Sequence, residues 1–117
     1  MLSLDWLKER IRKNEYYFSN HGDQERQNEN LTIQEIEEAL LSGRILEQYK
    51  DTGRGISCLI VGFTNGGKPI HLVCGKRSNW VVIITVYYPN RLNLRILMKG
   101  VKNENSMQLL RKPEISE

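Results

Sequence analysis

Three polar residues stand in two runs that otherwise read as β-strand. His71, one of only two histidines, lies in "KPIHLVC", and Thr85 and Tyr87 interrupt the Val and Ile of "WVVIITVYY". Side chains alternate across a strand, so parity decides which of them share a face. Ile70, Leu72 and Cys74 fall on one side and His71 and Val73 on the other; Val82, Ile84 and Val86 oppose Val81, Ile83, Thr85 and Tyr87. A hairpin folded symmetrically about residue 78 sets His71 directly opposite Thr85. A histidine titrates near neutrality and can take or give a proton. Threonine and tyrosine beside it would complete a polar site. The same three residues also suit an ordinary sheet, since Thr and Tyr are good strand formers.

The two histidines and two cysteines do not make a metal site. No pair has zinc-finger spacing. His71 and Cys74, three apart on one strand, point to opposite faces. Cys58 and Cys74 are expected to face each other across the "NGGK" turn as buried, reduced thiols. No carboxylates cluster among the strands, which counts against a metal-dependent hydrolase.

The elements that must position these residues follow from periodicity and caps. "SLDWLKERIRKNE" predicts a helix capped by Ser3, with Leu4, Leu7 and Ile11 on one face. "YYFSNH" reads as a short extended link. "NHGDQERQNEN" is polar throughout, and Gly22 weakens a helical reading. "LTIQEIEEALLSG" is the clearest helix. Thr32 and Glu35 form a capping box, Ile33, Ile36, Leu40 and Leu41 form the apolar stripe, and Gly43 ends it. Four strand-like runs follow: "RILEQYK", "ISCLIVGFT", "KPIHLVC" and "WVVIITVYY". "NGGK" is a hairpin signal. "RLNLRILMKG" alternates like a strand and also stripes like a helix. The order predicts an α+β domain over residues 1–102, with N-terminal helices on one face of a roughly four-stranded antiparallel sheet. The face carrying Ile70, Leu72, Val82, Ile84 and Val86 should meet the helices. Residues 103–117 read as a flexible or partner-binding tail.

The chain has 117 residues and a net charge of +3, which suits one compact domain. Most acids lie in residues 1–51, whereas Arg54 to Lys102 contains Lys and Arg but no Asp or Glu. A half of one sign attracts phosphate or an acidic partner, so Arg54, Lys76 and Arg95 are candidate phosphate contacts. No apolar run approaches the roughly 20 residues that span a bilayer. "MLSLDWLKERIRK" has no apolar signal core, and the cytoplasm is the expected compartment.

"YYFSNHGDQER", "LTIQEIEEALLSGRILEQY", "LIVGF...GKPIHLVCG" and "VVIITVYYP", in that order, resemble the bacterial family of unknown function DUF4258. Its members show a serine-x-histidine segment before a helix, a "P-x-H-x-V" strand and a "T-x-Y-x-P" ending. The likeness spans about residues 16–89. Gly22 and Asn28 depart from the Ala and Arg usual there. The resemblance implies a RelE-like or barnase-like fold, and neighbouring small regulators that include zinc-finger antitoxins of the kind that pair with MqsR. It places His21 and His71 on the family histidines, Arg26 on the arginine that follows, and Thr85 and Tyr87 on the "T-x-Y" pair. The implied activity is that of a toxin-like, metal-independent endoribonuclease without cofactor, restrained by an antitoxin-like partner. There His21 and His71 would move protons, Arg26, with Arg54, Lys76 and Arg95, would hold the phosphate of RNA, and Thr85 and Tyr87 would complete the site. A non-catalytic module that keeps the fold and binds RNA or a protein is the alternative.

Overall fold

The computed structural model describes residues 1–51 and 53–89. Arg95, the ambiguous stretch 91–101 and the expected tail 103–117 lie outside the described residues. The elements run α1 (Leu4–Arg12), β1 (Tyr16–Phe18), α2 (Asn20–Asn28), α3 (Ile33–Ser42), β2 (Arg44–Tyr49), β3 (Ser57–Phe63), β4 (Pro69–Arg77) and β5 (Trp80–Tyr87). The class is α+β, as expected. The sheet differs: it has five strands in the order β1-β5-β4-β3-β2, and β1 pairs parallel to β5. The expected link "YYF" is therefore an edge strand. Three residues are too few to show a period, and only the exposed edge of β5 makes them a strand.

The helix caps behave as their residue types dictate. Ser3 Oγ accepts from Trp6 N–H at the start of α1. Thr32 and Glu35 close the capping box on α3, each side chain taking the other's backbone N–H. Gly43 ends α3 in extended backbone. Ile36, Ala39 and Leu40 are the buried stripe; Ile33 and Leu41, expected in it, are 42 % and 37 % exposed. The buried stripe is turned toward Ala39 and away from Ile33 and Leu41, because the Ala39 side of α3 is the one that crosses β3 closely. A Cβ on Gly62 would stand 1.8 Å from the Ala39 carbonyl oxygen, so the small pair Ala39 and Gly62 takes the contact.

α1 and α3 cover one sheet face, where Leu7, Ile11, Ile36, Leu40, Ile60, Ile70, Leu72, Val81, Ile83 and Val86 form the main core. Ile70, Leu72 and Val86 sit there as expected. Val82 and Ile84 do not: they join Leu59 and Val73 in a smaller cluster on the opposite face. The cause is a β-bulge. Val73 pairs with Thr85 but Cys74 pairs with Ile83, so Ile84 is the extra residue and the parity of β5 reverses there. Cys58 and Cys74 are direct cross-strand partners, both buried and both free thiols. Among the described residues no helix is long and apolar enough to cross a membrane.

Candidate functional site

The bulge also resets the hairpin register. His71 lies opposite Tyr87, not Thr85, and Thr85 lies opposite Val73. The symmetric fold about residue 78 fails because the turn holds Ser78 and Asn79, with Arg77 paired to Trp80, and because Ile84 adds one more residue of slip. His71, Thr85 and Tyr87 nonetheless share the face away from α1 and α3. Cross-strand partners point the same way, and Thr85 and Tyr87 are two apart beyond the bulge.

His71 and Tyr87 are in contact. The His71 Nδ1 is 3.2 Å from the Tyr87 hydroxyl, and the rings meet edge to face at 5.2 Å between centroids. Partial burial lowers the His71 pKa below its usual value, against the pull of the Glu47 carboxylate. Glu47 belongs to the next row of this face, Glu47–Leu59–Val73–Thr85. Thr85 is fully buried.

The second histidine comes from α2, a helix despite the polar sequence and Gly22 that weaken a helical reading. β1 pairs only with Val81 to Ile83, so the edge of β5 beyond Ile83 needs another partner. α2 supplies it. Ser19 Oγ caps α2 through Gly22 N–H and donates to the Ile84 carbonyl. Gly22, expected to weaken the helix, is what lets it approach: a Cβ there would stand 2.4 Å from the Ile83 carbonyl oxygen. One turn on, Glu25 Oε1 accepts Val86 N–H at 2.8 Å, while its Oε2 lies 3.1 Å from His21 Nε2. Burial raises the Glu25 pKa, with the Val86 N–H and His21 opposing. His21 is thus tied, through Glu25, to the backbone between Thr85 and Tyr87. Glu25 was missed in the sequence. Its signal was the four-residue spacing from His21, which puts both on one helix face.

The candidate cations are not gathered here. The Arg26 guanidinium bonds Asp23 (3.0 and 2.9 Å) and the Leu31 carbonyl (2.8 Å) and lies over the Phe18 ring. Phe18 packs against the main core, so Arg26 leans to the helix side. Lys76 stands over the Trp6 ring of α1, also on that side. It is five residues along β4 from His71, roughly 16 Å at about 3.3 Å per residue. Arg54 is exposed in the loop between β2 and β3. The cation that does share the row of His71 is Arg44, in the order Arg44–Val61–His71–Tyr87. Among the described residues, no three His, Cys, Asp or Glu side chains converge as a metal ion requires.

The model of a family described as a domain of unknown function (DUF4258) matches residues 18–88. That span runs from the end of β1 past β5 and includes His21, Glu25, Arg26, Arg44, His71, Thr85 and Tyr87. Comparison with curated proteins and with solved structures gives no match.

Proposed function

The chain belongs to the DUF4258 family, a domain of unknown function, and on that footing we propose that it is a toxin-like, metal-independent endoribonuclease restrained by an antitoxin-like protein, with zinc-finger antitoxins among the candidate partners. The observation that carries this reading is the His71–Tyr87 pair, on a sheet face whose edge is held by the His21–Glu25 pair.

The chemistry needs a base, an acid and charge stabilisation. With His71 Nδ1–H donated to the Tyr87 hydroxyl, Nε2 carries a lone pair. A pKa lowered by burial keeps that imidazole neutral near pH 7. Nε2 takes the proton of a ribose 2′-OH as its oxygen attacks the adjacent phosphorus. The bond from phosphorus to the 5′-oxygen breaks, and His21, as acid, delivers a proton to that oxygen. A 2′,3′-cyclic phosphate and a 5′-hydroxyl result. Tyr87 fixes the tautomer and orientation of His71, and Thr85 completes the floor.

The competing reading is a module that binds RNA or a protein without cleaving. The internal bonds of Arg26 favour it, since they occupy a guanidinium the nuclease would use on phosphate. The test is purified protein with single-stranded RNA in EDTA, scored for 2′,3′-cyclic phosphate ends. The nuclease reading expects such ends, their loss in His71→Ala with the melting temperature nearly unchanged, and relief of toxicity in cells by the same change. RNA binding without cyclic ends would establish the module instead.

A further inference from the structure

Phe63 is the most exposed aromatic ring among the described residues, at 57 %. It ends β3, and alternation from Leu59 and Val61 puts it on the face of His71. The preceding Gly62 presses on Ala39, which leaves Phe63 pointing away from α3. The register places it beside the proposed site. Phe63 pairs with Pro69, so His71, two residues on, is its diagonal neighbour, about 7–8 Å between Cα atoms. Arg44 pairs with Val61 and is the second diagonal neighbour of Phe63. From Arg44 to His71 there are two strand spacings, roughly 9.5 Å. Phe63, Arg44 and His71 thus surround Val61 on one sheet corner.

The corner is held rigid from the backbone. Ser42 Oγ donates to the Phe63 carbonyl at 2.9 Å and accepts Phe63 N–H at 3.0 Å. Ser42 is two residues before Arg44, so one hydroxyl ties the start of β2 to the end of β3. Arg44 is exposed, and among the described residues no carboxylate forms an ion pair with it, in contrast to Arg26. An exposed π-face next to an uncommitted guanidinium matches a nucleotide of a single strand. Bases stack on aromatic rings, and arginine binds phosphate through its fork.

We infer that Phe63 and Arg44 form the substrate subsite of the His71–Tyr87 site, Phe63 stacking a base of single-stranded RNA and Arg44 holding an adjoining phosphate. This rests on the endoribonuclease reading for its link to cleavage, but the binding it asserts is measurable without turnover. The probe is a fluorescent 2′-O-methyl single-stranded oligonucleotide of mixed sequence, which lacks the attacking hydroxyl, titrated into the full chain and followed by anisotropy. Phe63→Ala and Phe63→Leu are each expected to weaken binding roughly 5- to 100-fold, and Phe63→Tyr to retain it. Leu keeps apolar bulk without the π-face, so it reports on stacking even if Ala perturbs the hairpin. Arg44→Gln should weaken binding and reduce the slope of log affinity against log salt by about one. Lys76→Gln, on the other face, should leave affinity unchanged. On cleavable RNA the Phe63 and Arg44 variants should raise KM and spare kcat.

If the wild type cleaves RNA and Phe63→Leu and Arg44→Gln bind the probe as it does, the subsite is overturned and the nuclease reading stands. If the probe binds through Phe63 and Arg44 but no RNA is cut, the subsite stands and the nuclease reading falls. If the wild type does not bind the probe, the subsite is overturned and the corner is left to a protein partner.

Discussion

His71 is a histidine that burial has made harder to protonate. Its usual pKa is 6.5, the folded-state value lies below that, and the unfolded chain titrates near the usual one. Between the two values the unfolded state holds more protons, so stability rises with pH across that window. The contribution is complete above about 6.5 and is lost as pH falls through the folded-state pKa. An NMR titration of the imidazole should show a midpoint below 6.5, and His71→Gln should flatten the pH dependence of stability there. A midpoint above 6.5 would contradict the burial argument and remove the neutral base at pH 7. The thiols make a second case at this scale. Burial pushes the Cys58 pKa up to about 12 and raises that of Cys74 as well. Thiolate is the reactive form, so neither should react with an aromatic disulfide reagent in the native state, and both should on unfolding. Rapid native reaction would mean the β3–β4 pair opens readily.

α2 shows how an element without an apolar stripe can be held in place. It buries only Gly22 and is fastened to β5 by polar bonds: Ser19 to Ile83 and Ile84, and Val86 to Glu25. Gly22→Ala forces a methyl against the Ile83 carbonyl. The strain should cost about 1–3 kcal/mol in chemical denaturation and weaken activity, because α2 carries His21 and Glu25. Gly66→Ala is the control, since its Cβ meets nothing nearer than Thr64 Oγ1 at 3.8 Å. Equal midpoints for the two variants would show that α2 can lift from β5 without loss. α3 is held differently, by an apolar face plus its capping box. Thr32→Ala should therefore cost about 1 kcal/mol and leave the His71 site intact.

At the scale of the whole molecule, the sheet buries apolar side chains on both faces. The larger core lies under α1 and α3, and the smaller joins Leu59, Val73, Val82 and Ile84, with Tyr49 and Tyr87 against it. The bulge at Ile84 distributes β5 between them. Ile83 is fully buried in the larger core, and Ile83→Ala should cost about 2–5 kcal/mol. Ile84→Ala should cost less, because the smaller cluster has fewer neighbours to lose. Urea midpoints measured side by side check the order, and a reversed order would mean that β5 carries no bulge. The same parity switch lets Tyr87 meet His71 while Val86, next to it, packs under the helices.

The α+β class, the helices α1 and α3, both of their N-caps, the four long strands and the "NGGK" turn were all legible in the sequence. Each rests on interactions within a few residues: a cap, a period, a turn. That Thr85 and Tyr87 share a face followed from parity; that His71 joins them depended on a register that the turn and the bulge reset. The His71–Tyr87 pairing, the burial of Thr85, the places of Val82 and Ile84, and the strand β1 did not follow. A single bulge shifts register and exchanges faces, and nothing local in "WVVIITVYY" marks Ile84 as the extra residue. β1 and α2 exist because β5 offers an edge, which is a partner far away in sequence. Gly22, read as a helix weakener, became a contact for the same reason. Local chemistry determined which elements this chain would form, and only tertiary pairing decided which side chains would meet.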